Sequence, residues 1–315
     1  MKLALLRCCT TPIFLKQYES STNAILKKLG IELVDIKDFS CCGYPLRNYN
    51  FRGNVLASAR NLALVEKHDV GLFTFCNCCY GNLKHAEHVV KNNPSVRREI
   101  NTVLTREGLA YNGEVKPRHL LHVLYHDIGI KKIRQELTGT FRNLKIAVHY
   151  GCHLLRPSDV VQFDNPFSPS IFDQLVEVTG AQSIPWSTKL DCCGSPLWGV
   201  NDELSLDLLE KKLLGAKGAG AHCLCVACSY CQLQFDRIQR ILLSRRGAAC
   251  KLPSLLYTQL LGLALGIDKE LLGLERNELP MTDVATFLVP GEILHPHDAA
   301  HREAKFEAHG QRPPA

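Results

Sequence analysis

Residues 41–46 read CCGYPL and residues 192–197 read CCGSPL. A cysteine pair that recurs with the same glycine, proline and leucine behind it constrains the fold more than any other feature. The chain must contain two copies of one unit, and each copy must accommodate the same tight turn. Adjacent cysteines are poor partners for a structural disulfide, because linking neighbours strains the peptide between them. The other cysteines repeat in order as well. The first half carries Cys9, Cys41, Cys42, Cys76 and Cys79; the second carries Cys152, Cys192, Cys193, Cys228 and Cys231. Between Cys9 and Cys41 there are 31 residues, and between Cys152 and Cys192 there are 39. From each pair to the next cysteine of its set the gaps are 33 and 34 residues, a near-match that chance does not readily produce.

Short apolar runs alternate with amphipathic stretches throughout. KLALL (2–6), IELVDI (31–36) and VGLFTF (70–75) predict buried strands, and residues 17–29, 54–67 and 80–90 predict helices. Gly30 stands where the first helix should end. The pattern restarts with LKIAVHY (144–150), passes a strand near 181–185 and reaches AHCLCVA (221–227), with helices at 170–179, 201–214 and 231–244. Strands alternating with helices predict an α/β fold of two pseudo-symmetric units, each a parallel sheet flanked by helices. The expected organisation is a first unit with a polar, helix-prone extension over 1–143, a second unit over 144–268, and a partly loose C-terminal extension over 269–315. A length of 315 residues suffices for two such cores. LLYTQLLGLALGI at 255–267 is too short to cross a bilayer and is expected as a buried helix.

Where the cysteines fall matters more than their number. Cys9 and Cys152 lie just past the first strand of their halves, Cys76 and Cys228 follow the third, and each CC pair follows the second by a few residues. In a parallel sheet the carboxyl ends of the strands form one rim, where ligands bind. Five thiols per unit are therefore expected to converge there. Gly43 and Gly194 would let the backbone turn closely about whatever sits on that rim, and Pro45 and Pro196 would stiffen the exit.

Fifteen cysteines are too many for ordinary core packing. A secreted disulfide framework belongs to short chains with export signals, and here Arg7, Cys8 and Cys9 interrupt a very short N-terminal apolar run. A reducing, cytoplasmic compartment in which thiolates hold metal is the expectation that remains. Zinc needs four ligands and usually brings CxxC pairs at closer spacing; a cubane cluster also needs four; a redox CxxC explains Cys76 and Cys79 alone. Five suggests a spare cysteine or a cluster that is not a simple cube. A net charge of +6 suits an acidic partner or an anionic small molecule, and no dense basic block points to nucleic acid.

These residues resemble the CCG-domain family, and within it the B-subunit family of heterodisulfide reductases. The resemblance runs over roughly residues 1–268. It is carried by CCG at 41–43 and 192–194, CNxCYGNL at 76–83, HYGCHxLxPSD at 149–159, CxxCQLQFD at 228–236 and QLLGLALG at 259–266. It implies two non-cubane [4Fe-4S] clusters. Cys9, Cys41, Cys42, Cys76 and Cys79 would hold one; Cys152, Cys192, Cys193, Cys228 and Cys231 would hold the other. The implied activity is that of a catalytic subunit which cleaves or forms a disulfide between small or protein-bound thiols at two facing clusters. The implied partners are a ferredoxin-like iron–sulfur subunit of the C type and a flavoprotein of the A type. The chain has neither a cubane ferredoxin run nor a glycine-rich dinucleotide fingerprint of its own. A non-catalytic electron-transfer subunit and a zinc-stabilised interaction protein are the competing readings.

His153, directly after Cys152, is the candidate catalytic residue, as a proton source for a departing thiolate or as a hydrogen-bond partner of a cluster sulfur. His149 is expected to be structural. Lys16, Arg47 and Arg156 are placed near the rim as possible anion contacts with solvated charge as the default, and Asp159 and Asp236 are expected as caps or packing partners. Cys8 and Cys78 stand where the pattern of the resembled B-type family has small residues; Cys223, Cys225 and Cys250 are expected to be passive thiols. The histidines of the terminal HPHDAAHREAKFEAHGQRPPA are expected to be solvated.

Overall fold

The run KLAL forms the first strand, β1 (Lys2–Leu5), which is flanked by β2 (Glu32–Val34) and β3 (Gly71–Thr74), with β4 (Arg118–His119) beyond β3. The structure, a computed structural model, describes residues 1–291. All pairings in this sheet are parallel and the order is β2-β1-β3-β4. After β5 (Gly139–Phe141) the plan repeats with β6 (Lys145–His149), β7 (Gln182–Ser183), β8 (Cys223–Val226) and β9 (Ser254–Leu256). Their order, β7-β6-β8-β9, is the same arrangement, again wholly parallel. The central strands are buried, as a sheet covered by helices on both faces requires.

Each half thus has a fourth strand that periodicity does not reveal. β4 and β9 are two and three residues long, too short to show a period. The stretch expected as one buried helix over 255–267 is corrected accordingly: Leu255 and Leu256 belong to β9, and the helix spans Tyr257–Ala264. The Gln259 side chain marks the change by accepting the Leu256 backbone N–H at 3.2 Å. Within 269–291 a short helix forms at Lys269–Leu272, and β10 (Leu288–Pro290) pairs antiparallel with β5. The histidines from His295 onward lie outside the described residues.

The halves pack rim against rim through reciprocal contacts. Behind Cys76, Asn77 starts the Asn77–Asn92 helix and donates its amide to the Tyr150 carbonyl of the other half at 2.6 Å. Behind Cys228, Ser229 bonds Thr11 of the first half at 3.2 Å. Gly81 permits close approach, since a Cβ there would stand 2.9 Å from the His153 carbonyl oxygen. Ser21 and Thr258 add a buried hydroxyl pair at 2.6 Å.

Candidate metal centre

Both CCG turns are built alike. Gly43 and Gly194 adopt the left-handed conformation, each with φ near +87°. The helix that follows holds each turn: Asn54 donates to the Gly43 carbonyl at 2.9 Å, and Ser205 donates to the Gly194 carbonyl at 3.0 Å. A Cβ would meet the Asn54 backbone oxygen at 2.9 Å in one half and the Ser205 backbone oxygen at 2.7 Å in the other. We expect Gly194→Ala to destabilise the second half by about 2 kcal/mol or more, from left-handed strain plus the backbone clash. A lowered thermal midpoint checks this; an unchanged one would show that the turn relaxes.

The ten cysteines are brought together as two chains of thiols with the same order. In the first half the thiols interact in the sequence Cys9, Cys41, Cys42, Cys79, Cys76. In the second the sequence is Cys152, Cys192, Cys193, Cys231, Cys228, with 3.8 Å between the Cys193 and Cys231 sulfurs. Cys41 is held down to about 2 by hydrogen bonds from the Cys42 and Cys9 thiols, and Cys192 to about 2 by those from Cys152 and Cys193. Their neighbours go the other way: hydrogen bonding to Cys192 and burial push Cys193 up to about 12. A packed set in which some thiols are held down and their neighbours pushed up can become fully ionised only with positive charge in its midst.

The two sets meet. Cys76 and Cys228 contact each other across the seam, and the sulfurs of Cys76, Cys78 and Cys228 all lie within 4.8 Å of one another. Cys8 packs in the same way on Cys76 and Cys79. The two extra thiols therefore sit on the sulfur sets, whereas Cys223 and Cys225 are buried in β8 and Cys250 is buried near Lys217.

His153 faces this seam. Its Nδ1 lies 3.4 Å from the Cys152 sulfur and 3.7 Å from the Cys78 sulfur, and its Nε2 lies 3.4 Å from the Tyr44 hydroxyl. Burial, assisted by the Arg47 guanidinium and partly opposed by Cys192, holds the imidazole down to about 4. The ring is therefore neutral at pH 7 and has one N–H to offer. Tyr44 escaped the sequence reading because Ser195 stands in its place in the other half. Burial and the charges of Cys78 and Cys152 push its phenol up, so it stays protonated.

His149 lies closer to the sulfurs than its place on a strand suggested: a ring nitrogen is within 4.8 Å of the Cys193 and Cys231 sulfurs. Lys16 and Arg156 are exposed, and Arg47 is half-buried toward His153. Asp236 is a packing group, accepting the Glu278 and Leu279 backbone N–H at 3.0 and 3.1 Å, with burial raising it to about 6. Asp159 lies in the first turn of the Ser158–Val161 helix.

A family model described as a cysteine-rich domain (CCG) matches residues 4–84 and 146–236. The B subunit of the ferredoxin/F(420)H(2)-dependent CoB-CoM heterodisulfide reductase of Methanosarcina acetivorans is 38% identical over 283 residues, 88% of this chain and 94% of that protein. The 8-methylmenaquinol:fumarate reductase membrane anchor subunit of Wolinella succinogenes is 31% identical over 265 residues, 84% of this chain and 92% of that protein. In the present protein no helix among the described residues is long and apolar enough to cross a membrane. A hypothetical protein from Helicobacter pylori has a similar solved fold, with a TM-score of 0.71 at 20% identity over 89% of this chain. This chain spans about half (52%) of that one.

Proposed function

Because this chain belongs to the CCG cysteine-rich domain family and keeps both of its five-cysteine sets, we propose that it is the iron–sulfur catalytic subunit of a heterodisulfide reductase-type complex. The observation that carries the reading is the convergence of two like-ordered thiol sets on one seam, with Cys76 touching Cys228. Zinc would leave thiols over in each set. Cys9, Cys41, Cys42, Cys76 and Cys79 would hold one non-cubane [4Fe-4S] cluster, and Cys152, Cys192, Cys193, Cys228 and Cys231 the other. When bound, the pair supplies the two electrons that open a disulfide, or takes them up when one forms.

The chain's own residues then have defined tasks. The buried Cys76, Cys78 and Cys228 side keeps water from the seam. His153 gives its Nδ1 proton to a departing substrate sulfur while its Nε2 takes up a proton that the Tyr44 hydroxyl relays from solvent, so the phenol ends protonated; the second sulfur takes its proton from solvent. Opening one disulfide consumes two electrons and two protons and yields two thiols. The substrate class is a small or protein-bound disulfide or thiol. Electrons come from a ferredoxin-like iron–sulfur subunit, and through it from a flavoprotein, since this chain carries no dinucleotide fingerprint.

A second reading, an electron relay with no substrate of its own, is favoured by the Wolinella relative, whose name places it in a quinol:fumarate reductase. Anaerobic reconstitution separates the readings. We expect about four irons with matching acid-labile sulfide per half, and an electron paramagnetic resonance signal on oxidation whose shape depends on the thiol added. One or two zincs in place of iron would overturn the iron–sulfur reading. Full iron with no thiol dependence would leave the relay.

A further inference from the structure

The two thiol sets are copies in their sulfurs but not in what stands behind them. Eighteen residues after each CCG glycine, the following helix carries Asn61 in the first half and Lys212 in the second. Both side chains tie down the loop before the cysteine pair. Asn61 Nδ2 donates to the carbonyls of Ser40 at 3.2 Å and Cys41 at 3.3 Å. Lys212 Nζ donates to the carbonyls of Thr188 and, at 3.0 Å, Asp191. One is a neutral amide; the other is a cation.

That cation is only 1% exposed, and its ammonium lies 4.6 Å from the centre of the Trp186 ring. Among the described residues no carboxylate forms an ion pair with it, because the exposed Asp191 carboxylate pairs with Lys211 at 3.4 Å. Burial lowers Lys212 to about 8 against the opposing pull of Cys193, Asp191, Cys231 and Cys192, so it is still an ammonium at neutral pH. A second difference points the same way. Where Leu6 follows β1, His149 closes β6. His149 is buried, neither ring nitrogen meets hydrogen-bond geometry with a partner among the described residues, and the ring lies against Cys193 and Cys231.

We propose that Lys212 and His149 set the second sulfur site at the higher reduction potential of the pair, so that the first electron to enter resides there. A reduced cluster carries one more negative charge, which a buried cation stabilises in a low-dielectric setting. A neutral imidazole with a ring nitrogen within 4.8 Å of the Cys193 and Cys231 sulfurs brings a polar group to the same side, where an N–H favours added negative charge. The first site has only an amide and a leucine at these places, and Arg47, nearer His153, is half-exposed and screened. Lys212 and His149 are positioning residues that act through the cysteine sulfurs. The inference rests on the iron–sulfur reading above.

The test is a potentiometric titration with dithionite and mediators, read by electron paramagnetic resonance on the reconstituted chain. Cys42→Ala leaves the second site alone for measurement, and Cys193→Ala the first. The second site is expected to reduce at the higher potential. Lys212→Asn should shift its equilibrium tenfold or more toward the oxidised form, about 59 mV for one electron, without moving the first site; His149→Leu should shift it the same way. Equal potentials, the reverse order, or a Lys212→Asn shift shared by both sites would overturn the proposal. Should that variant not fold, the order in the two single-site proteins still decides. An absence of iron signals from every protein would refute the iron–sulfur reading itself, whereas two signals in the wrong order would refute only this assignment.

Discussion

Replacing Cys193 by alanine is expected to remove the iron of the second half and spare that of the first, so that bound iron falls to about half. Cys193 sits mid-chain in its set, between Cys192 and Cys231, so its loss breaks the set in two. The first set is built on other elements and, among the described residues, meets the second where Cys76, with the extra thiol Cys78 beside it, contacts Cys228. Iron and sulfide analysis of the anaerobically reconstituted variant measures the effect, and Cys42→Ala should mirror it. Disulfide cleavage should vanish in both variants, because one site cannot serve both sulfurs of the bond. Full iron in both halves of Cys193→Ala would show the ligand sets to be wrongly drawn.

The duplicated α/β plan was legible because strongly apolar segments and cysteine spacing point to the same answer. KLALL, VGLFTF, LKIAVHY and AHCLCVA contain β1, β3, β6 and β8, and the cysteines after them fall on one rim. β4, β5, β9 and β10 were not legible. They are two or three residues long, and each exists because a neighbouring strand offers it partners, as Phe73 and Thr74 do for Arg118 and His119. The same limit applies at the site. Spacing predicts that thiols share a rim, but not that Cys76 meets Cys228, since that contact depends on how two sheets pack. Tyr44 and Lys212 were missed for a related reason: each differs from its counterpart, Ser195 or Asn61, so the repeat that revealed the cysteines conceals them.

His153→Gln should lower disulfide cleavage by about 10²-fold or more, the range lost when a positioned proton donor is removed, while iron content and cluster spectra stay unchanged. The sequence suggested a ring that titrates near neutrality. Burial instead keeps it neutral, so it can supply a proton only by exchanging one nitrogen's hydrogen for another. The geometry permits that exchange, since Nδ1 points at the Cys152 and Cys78 sulfurs while Nε2 meets the Tyr44 hydroxyl. Glutamine could still hydrogen-bond to a sulfur but could not pass a proton through. Tyr44→Phe should therefore also slow cleavage, though less, because solvent can reach a half-buried ring and replace the phenol. If His153→Gln turned over at the wild-type rate with reduced dye as donor, the histidine would be a hydrogen-bonding neighbour of the sulfurs and the proton would come from water.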